Sequence, residues 1–159
     1  MISNNEFEVS VVQTQLTPTG GNNFDTNYNA KIIFVDGSGD GHICIIFEDD
    51  EVPIIERHPL NSNHESEWLA VYCALNHIQS YDWYKIFSDS RLIVRQFIGE
   101  FKTTKPRMRK WKQRCRRLIR VRGLTVKVDW IPRHENPAGT YLEQYFRTNS
   151  EVSGSYLHW

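Results

Sequence analysis

The chain has 159 residues, of which 40% are hydrophobic and 24% charged, and its 19 basic and 19 acidic side chains give a net charge of zero. This length and balance are typical of one globular domain with its own core, and they exclude a fully disordered chain. No apolar run approaches the ~20 residues of a membrane-spanning helix, and the N-terminus lacks a secretory signal pattern, so we expect a cytoplasmic protein. The three cysteines, Cys44, Cys73 and Cys115, form no CxxC pair, which agrees with a reducing compartment and predicts no zinc site.

The zero net charge hides a strong division along the chain. Residues 91–122 hold 13 of the 19 Lys and Arg side chains and one acid, Glu100, a net charge of +12. The rest of the chain carries the opposite net charge. A basic segment of this kind favours contact with phosphates, and the alternative is a solvated helix balanced by the acidic remainder.

The first 30 residues differ from the rest in composition. They contain no Lys or Arg and are rich in Asn, Thr, Gln, Ser and Gly. Phe7, Val9 and Val11 alternate with polar residues, which is typical of an edge strand, and a disordered leader is the alternative. We therefore interpret residues 1–30 as a polar extension of the domain.

From residue 31 onwards, the pattern predicts elements in the order β-β-β-α-β-α-α-β-α. Gly39-Asp40-Gly41 is hairpin chemistry between the first two strands, Ser62 or Asn63 caps the first helix, and Pro106 opens a later one. The order predicts an α/β layered fold with a mixed sheet. The expected strands are 31–35, 43–47, 52–57, 84–88 and 124–130, and the expected helices are 62–78, 91–101, one from 106 and one from 137.

Three acidic residues stand where the ends of strands and helices would bring them together. Asp36 ends the first strand, Asp89 ends the fourth, and Glu67 lies on the apolar stripe of the first long helix. Each has an ordinary structural explanation, as a turn residue, a helix N-cap and a favourable charge at a helix N-terminus. Together they predict a carboxylate cluster at one end of the sheet, which suits Mg²⁺ or Mn²⁺.

Four segments, in this order, resemble the ribonuclease H family of type 1. IFVDGS at 33–38 is similar to the opening strand with the first catalytic Asp, and SNHESEWLAVYCAL at 62–75 to the helix of the catalytic Glu. SDSRLIVRQ at 88–96 resembles the motif of the second catalytic Asp, and WIPRHEN at 130–136 the final strand with its Pro-Arg-x-x-Asn loop. The resemblance covers residues 31–147, leaves 148–159 as a C-terminal tail, and implies a ribonuclease H-like five-stranded mixed sheet with helices on both faces.

The family usually has a fourth acid after this loop, and here the chain departs from the pattern. Counting from Asn136 puts Thr140 at that position, whereas matching the family's Ala puts Gly139 there. We expect Glu143, one helical turn further along, to replace the missing ligand, and a solvated surface acid is the alternative. The histidine that often precedes the loop is also absent, and Trp130 stands in its place.

The resemblance implies an endoribonuclease that cleaves the RNA strand of RNA–DNA hybrids and leaves 5′-phosphate and 3′-hydroxyl ends. Two Mg²⁺ or Mn²⁺ ions would activate water and stabilise the leaving oxygen. Asp36, Glu67 and Asp89 are the implied metal ligands, and Glu143 joins them as a catalytic acid. The basic helix would hold phosphates of the other strand. The expected substrate contacts are Gly37, Ser38, Asn63, His64, Arg91, Arg109 and Lys112.

Two alternatives remain open at this point. A catalytically weak or inactive module of the same fold would bind RNA–DNA hybrid or double-stranded RNA, and another nuclease of this fold, such as a junction resolvase, would cut a different substrate. Three converging acids repel one another, so their retention favours the enzyme over a binding module. We expect a monomer that binds RNA–DNA hybrid and no membrane.

Overall fold

The computed structural model describes residues 30–50, 52–60 and 62–157. The expected polar extension therefore lies, except for its last residue, outside the described residues. No helix in these ranges is long and apolar enough to cross a membrane. The strands found in them are β1 (Lys31–Gly37), β2 (His42–Phe47), β3 (Ile54–Arg57), β4 (Trp83–Ser88) and β5 (Thr125–Trp130), and the helices are α1 (Asn63–His77), α2 (Arg91–Phe97), α3 (Pro106–Arg122) and α4 (Pro137–Leu157), with a short 3-10 turn at Arg133–Glu135.

The strands form one mixed sheet in the order β3-β2-β1-β4-β5. The pairs β1–β2 and β2–β3 are antiparallel, whereas β4 runs parallel to both β1 and β5. Val35 of β1 lies opposite Ser88 of β4 in the parallel pair, so the residues that follow them are neighbours. This register brings Asp36 and Asp89 to the same end of the sheet.

Helices cover both faces of the sheet because successive side chains of β1 and β2 point to opposite faces. Ile33 and Val35 point into the main core beneath α1, where Trp68 is fully buried. Cys44 of β2, on the opposite face, packs against Ala138 and Leu142 of α4. The expected five-stranded mixed sheet with helices on both faces is thereby confirmed.

The helix ends follow local chemistry. Ser62 caps α1 by accepting a hydrogen bond from the Glu65 amide, and Ser90 caps α2 by accepting one from Ile93. The expected end of the second helix at residue 101 is wrong, because α2 ends at Phe97 and Gly99 follows with a φ of 87°. A positive φ of this kind interrupts the helix and is easily adopted by glycine.

The last helix is long and crosses the expected boundary at residue 147. It begins at Pro137, as predicted, and continues to Leu157. The division into a domain and a tail stays a prediction.

Candidate functional site

The three predicted acids come together at one end of the sheet. Asp36 is the second-to-last residue of β1, Asp89 follows β4 directly, and Glu67 lies near the start of α1. One carboxylate oxygen from each residue lies within 4.8 Å of the other two. Three separate elements therefore supply one compact group of oxygen ligands.

A glycine allows α1 to approach β1 closely enough to bring Glu67 into this group. A Cβ atom on Gly37 would lie 2.5 Å from the carbonyl carbon and oxygen of Ser66 and 2.7 Å from the Glu67 amide nitrogen. Those distances are shorter than any ordinary contact, and backbone cannot rotate away as a flexible side chain can. Close packing of α1 on β1 therefore requires a glycine at position 37. The sequence had suggested only a substrate contact for Gly37.

Burial raises the pKa of two of the three acids. Loss of water around Asp36, together with the nearby charge of Asp89, raises the pKa of Asp36 to about 6. Loss of water raises the pKa of Glu67 to about 7, although a hydrogen bond from Ser90 acts in the opposite direction. Uncompensated carboxylates of this kind are costly unless a cation or hydrogen-bond donors face them.

One oxygen of the cluster lacks a hydrogen-bond donor. Asp36 Oδ1 is buried and accepts no hydrogen bond from any residue in the described ranges. Hard divalent cations such as Mg²⁺ and Mn²⁺ prefer carboxylate oxygens. The donor set of Asp36, Glu67 and Asp89 therefore fits such an ion.

A buried amide fixes the position of Asp89 relative to β1. The Nδ2 of Asn136 donates to the Val35 carbonyl oxygen at 3.0 Å and to Asp89 Oδ2 at 2.8 Å. Its Oδ1 accepts from the Ala138 amide at the start of α4. Asn136 is fully buried, so these bonds form away from water. The loop motif contained this residue, but sequence reasoning assigned it no place in the site.

The side chain of Trp130 contacts the backbone of the same aspartate. Its indole Nε1 donates to the Asp89 carbonyl oxygen at 3.1 Å. The guanidinium carbon of Arg91 lies 4.2 Å from the centre of the Trp130 ring, a cation–π distance. Arg91, an expected substrate contact, is thus held beside the acid cluster.

The position of the missing fourth acid can be identified from the geometry. A Cβ atom on Gly139 would lie 3.5 Å from Asp36 Oδ2 and 3.5 Å from Asp89 Oδ2, which is ordinary van der Waals contact. Thr140 is exposed, and its hydroxyl donates to the Asn136 carbonyl oxygen within α4. Of the two positions that the sequence left open, Gly139 is the one that faces the acids.

An arginine lies between the acids and Glu143. Arg133 Nη1 lies 3.6 Å from Asp36 Oδ1 and 3.5 Å from Asp89 Oδ2, and Nη2 lies 3.2 Å from Glu143 Oε1. The Glu143 side chain is 59% exposed and contributes no oxygen to the group of three acids. Glu143 is therefore connected to the cluster through Arg133, a residue that sequence reasoning did not assign to the site.

The expected substrate contacts near the acids lie on two adjacent segments. Ser38 follows β1, and its hydroxyl donates a hydrogen bond to Asp40. A Cβ atom on Gly39 would lie 3.8 Å from Asn63 Oδ1, so this turn lies against the start of α1. Asn63 and His64 are both exposed there, within one helical turn of Glu67.

The basic helix α3 packs on α1 through its apolar stripe. Met108, Cys115 and Ile119 are buried, and Trp111 donates from Nε1 to Oε1 of the buried Glu65 at 3.2 Å. Trp111 also packs against the main core, so it is a packing residue. The expected contact Lys112 is half-buried, and six other basic side chains of α3 are exposed, namely Arg107, Arg109, Lys110, Arg114, Arg117 and Arg120.

Comparison with known proteins agrees with this architecture. A family model described as "Reverse transcriptase-like" matches residues 27–144. No curated protein matches the chain. RNase H1 from the halophilic archaeon Halobacterium salinarum is 21% identical, with a TM-score of 0.60 over 71% of this chain and 93% of that one.

A second solved structure is similar to the same degree. LC11-RNase H1, isolated from compost by a metagenomic approach, is 23% identical, with a TM-score of 0.64 over 72% of this chain and 92% of that one. LC11-RNase H1 in complex with an RNA/DNA hybrid is 21% identical over the aligned part, with a TM-score of 0.59, 67% of this chain and 88% of that one. The family match and the shared fold place this chain in the reverse transcriptase-like family of ribonuclease H-like domains.

Proposed function

We propose that this protein is a divalent-metal-dependent endonuclease that hydrolyses the RNA strand of RNA–DNA hybrids and leaves 5′-phosphate and 3′-hydroxyl ends. The observation that carries the proposal is the convergence of Asp36, Glu67 and Asp89 within 4.8 Å on a ribonuclease H-like fold. A protein that only binds nucleic acid gains nothing from buried carboxylates that repel one another and the phosphates.

Asp36, Glu67 and Asp89 would hold two Mg²⁺ or Mn²⁺ ions, which supply an activated water and stabilise the leaving oxygen when they are bound. The buried Asp36 Oδ1 without a hydrogen-bond donor supports this assignment. Bound cations would also offset the cost of burying the carboxylates.

The chain's own residues keep these acids in place. Asn136 fixes Asp89 Oδ2 relative to the Val35 carbonyl oxygen, so both aspartates share one rigid frame. Arg133 neutralises part of the carboxylate charge and competes with cations for Asp36 and Asp89. With those oxygens holding cations, the Arg133 guanidinium would be available to a phosphate oxygen of the substrate.

Substrate recognition would combine backbone and side-chain contacts. The amides near Gly37 and Ser38, with Asn63, His64 and Arg91, would face the RNA strand and its 2′-hydroxyls beside the acids. Arg109, Lys112 and the other basic residues of α3 would contact phosphates of the DNA strand without sequence preference. The complex of LC11-RNase H1 with an RNA/DNA hybrid supports this choice of substrate for the shared fold.

A second candidate function is a weak or inactive module that binds hybrid or double-stranded RNA. It is favoured by Gly139 at the fourth-acid position and by the ion pairs that Arg133 makes with Asp36 and Asp89. Both features lower the expected affinity for the second cation. Three acids remain, so we expect weakened cation binding rather than loss of cleavage.

The decisive test compares the wild-type protein with Asp89→Asn on labelled RNA–DNA hybrid, double-stranded RNA and single strands. Each substrate is incubated with Mg²⁺, with Mn²⁺ and with EDTA, and the products are mapped at their ends. We expect metal-dependent cutting of the hybrid alone, lost in Asp89→Asn. Tight hybrid binding without cutting in either metal would establish the binding module instead.

A further inference from the structure

A second cluster of metal-ligating side chains lies at the other end of α1 from the acids. Glu56 of β3, His58 directly after β3, and Cys73 of α1 each offer one ligand atom, and these atoms lie within 4.8 Å of one another. His77, the last residue of α1, lies ten residues beyond Glu67, about 15 Å along the helix. The cluster is therefore separate from the site proposed for catalysis.

Strand register and helix spacing explain why these residues meet. Glu56 pairs with Ile43, whose side chain is buried in the core beneath α1, so Glu56 faces the same helix. Cys73 and His77 are four residues apart and share one face of α1. An edge strand and a helix end thus each supply two donors.

The two imidazoles already contact one carboxylate, each through a different oxygen of Glu56. His58 Nε2 lies 3.0 Å from Glu56 Oε1, and His77 Nε2 lies 3.2 Å from Glu56 Oε2. Cys73 is a free cysteine and is buried beside them. One thiol, two imidazoles and one carboxylate are the ligand types of tetrahedral zinc sites, and a thiolate disfavours Mg²⁺.

We propose that Glu56, His58 and Cys73 bind a transition-metal ion of the Zn²⁺ class, with His77 as the fourth ligand. Ligand atoms about 2.0–2.3 Å from one ion lie roughly 3.3–3.8 Å apart in a tetrahedron, so Glu56, His58 and Cys73 reach that spacing with movements of about 1 Å. His77 would join them from its present contact with Glu56 Oε2. On binding, the two imidazoles would give up their hydrogen bonds to the Glu56 carboxylate and coordinate the ion. One oxygen of Glu56 would coordinate the ion as well.

Binding requires the Cys73 thiolate, and the ion provides the driving force for it. Burial raises the pKa of the Cys73 thiol to about 12, so the free protein holds it protonated. Coordination to Zn²⁺ replaces the S–H bond by a metal–sulfur bond and releases the proton to water. The absence of a CxxC pair had led to the prediction of no zinc site. Spacing along the chain cannot show that a lone cysteine meets two histidines in space.

The consequence of this site is mechanical. The side chains of β3 are only partly buried or exposed, and β3 is the edge strand next to β2. A metal shared by β3 and the last turn of α1 would tie this edge to the helix. The ion would therefore stabilise the fold and would take no part in hydrolysis.

Cobalt absorption spectroscopy tests the proposal directly. Metal-free protein carrying Asp89→Asn, in reducing buffer with excess Mg²⁺, is titrated with Co²⁺ and then with Zn²⁺. We expect one equivalent of Co²⁺ to give intense visible bands of tetrahedral cobalt and a thiolate-to-cobalt charge-transfer band, all displaced by Zn²⁺. Cys73→Ser should remove the charge-transfer band, and His58→Ala and His77→Ala should each weaken binding at least tenfold.

Matched controls distinguish this site from general metal binding. Cys44→Ser removes another buried free cysteine, and His64→Ala removes an exposed histidine at the other end of α1, so both should keep the full spectrum. Zn²⁺ should also raise the melting temperature of the parent protein by several degrees and leave that of His58→Ala unchanged. Circular dichroism verifies that each variant is folded.

Two outcomes would overturn the proposal. One is Co²⁺ binding whose spectrum is unaffected by Cys73→Ser. The other is the absence of stoichiometric binding, which would leave only the hydrogen bonds between Glu56 and its two histidines. Neither readout involves hybrid cleavage, so the result is independent of the proposed nuclease function.

Discussion

Asp36 is a carboxylate that folding removes almost entirely from water. Its side chain is 3% exposed, and loss of hydration with the charge of Asp89 raises its pKa from 3.8 to about 6. A raised acid pKa means that the folded state holds the proton where the unfolded state has lost it. The contribution of Asp36 to stability is therefore most favourable below pH 4 and declines as the pH rises through 6.

This gives a prediction for Asp36→Asn in the absence of metal. The amide cannot ionise, so we expect the variant to be more stable than the wild type by about 2–3 kcal/mol above pH 7, with the difference vanishing near pH 4. Hybrid cleavage should be lost. Thermal melts in EDTA from pH 4 to 8 measure the stability difference, and a constant difference across that range would contradict the explanation.

Asp40 provides a matched control with the opposite sign. The pKa of this exposed carboxylate is lowered to about 2, first by the Ser38 hydroxyl and then by His42. Its contribution is present above pH 4 and lost as the pH falls toward 2. Asp40→Asn should therefore lower the melting temperature slightly at neutral pH.

Gly139→Asp should restore the missing acid. The added Cβ atom would lie at ordinary contact distance, 3.5 Å, from both aspartates, and we expect the new carboxylate to draw a cation or Arg133 toward itself. We expect cleavage to saturate at a Mg²⁺ concentration several times lower than in the wild type. Thr140→Asp adds the same charge at the exposed neighbouring position and should leave the Mg²⁺ dependence unchanged, whereas equal effects of the two variants would contradict the assignment of Gly139.

Glu143 remains the predicted fourth acid, and its ion pair with Arg133 suggests a second way for it to act. In Glu143→Ala we expect the half-saturating Mg²⁺ concentration to rise several-fold, either because a ligand is lost or because Arg133 pairs more strongly with Asp36 and Asp89. The double variant Arg133→Ala/Glu143→Ala separates the two causes. If Glu143 is a ligand, its removal still weakens Mg²⁺ binding when Arg133 is absent. Normal affinity in Glu143→Ala would remove Glu143 from the site.

At the scale of elements, hydropathy patterns were sufficient for the order of strands and helices. The apolar run of β1 and the cap at Ser62 have local causes, so they are visible in the sequence. The N-cap explanation of Asp89 was wrong, because the neighbouring Ser90 caps α2. The end of α2 was not visible in the sequence, since it depends on the backbone angle φ at Gly99.

The contacts that complete the site escaped prediction for a related reason. Asn136 bonds to Val35 across 101 positions of the chain, and Gly37 is required by the backbone of α1 rather than by its own turn. Local patterns contain no information on either contact. The ends of strands and helices and the resemblance to the family together indicated the three acids, and the resemblance left the fourth position between Gly139 and Thr140.

Gly37→Ala tests the close approach of α1 to β1. The added methyl group would meet Ser66 and Glu67 backbone at 2.5–2.7 Å, so the helix must move and carry Glu67 away from the aspartates. Overpacking of this kind typically costs about 1–3 kcal/mol. We expect denaturant unfolding to show that loss together with weaker Mg²⁺ binding. Gly39→Ala, whose Cβ meets only the Asn63 side chain at 3.8 Å, should lose neither.

For the whole molecule, charge is separated in space as it is along the chain. The acids lie at one end of the sheet, and α3, which contains no Asp or Glu, holds nine Lys and Arg side chains. Their sum is close to neutral, so net charge alone gives no indication of affinity for nucleic acid.

The basic helix should govern affinity and its dependence on salt. Arg109→Ala/Lys112→Ala should raise KM for hybrid several-fold, leave kcat nearly unchanged and lower the slope of log affinity against log salt by about 1–2. Lys31→Ala removes a cation at the opposite end of β1 from Asp36, where Lys31 pairs with Asp82, and serves as the control. A loss of kcat without a change in KM or slope would argue against phosphate binding by α3.

The hydrogen bonds of Asn136 also bear on how the molecule is made. During synthesis the residues of β1, α1 and β4 leave the ribosome long before Asn136 does, and they can form their strands and helix first. The acids then lack the amide that joins Asp89 to β1 until the start of α4 has emerged and docked. The nascent chain therefore gains the complete geometry of the acid cluster only after Asn136 and the start of α4 have been made.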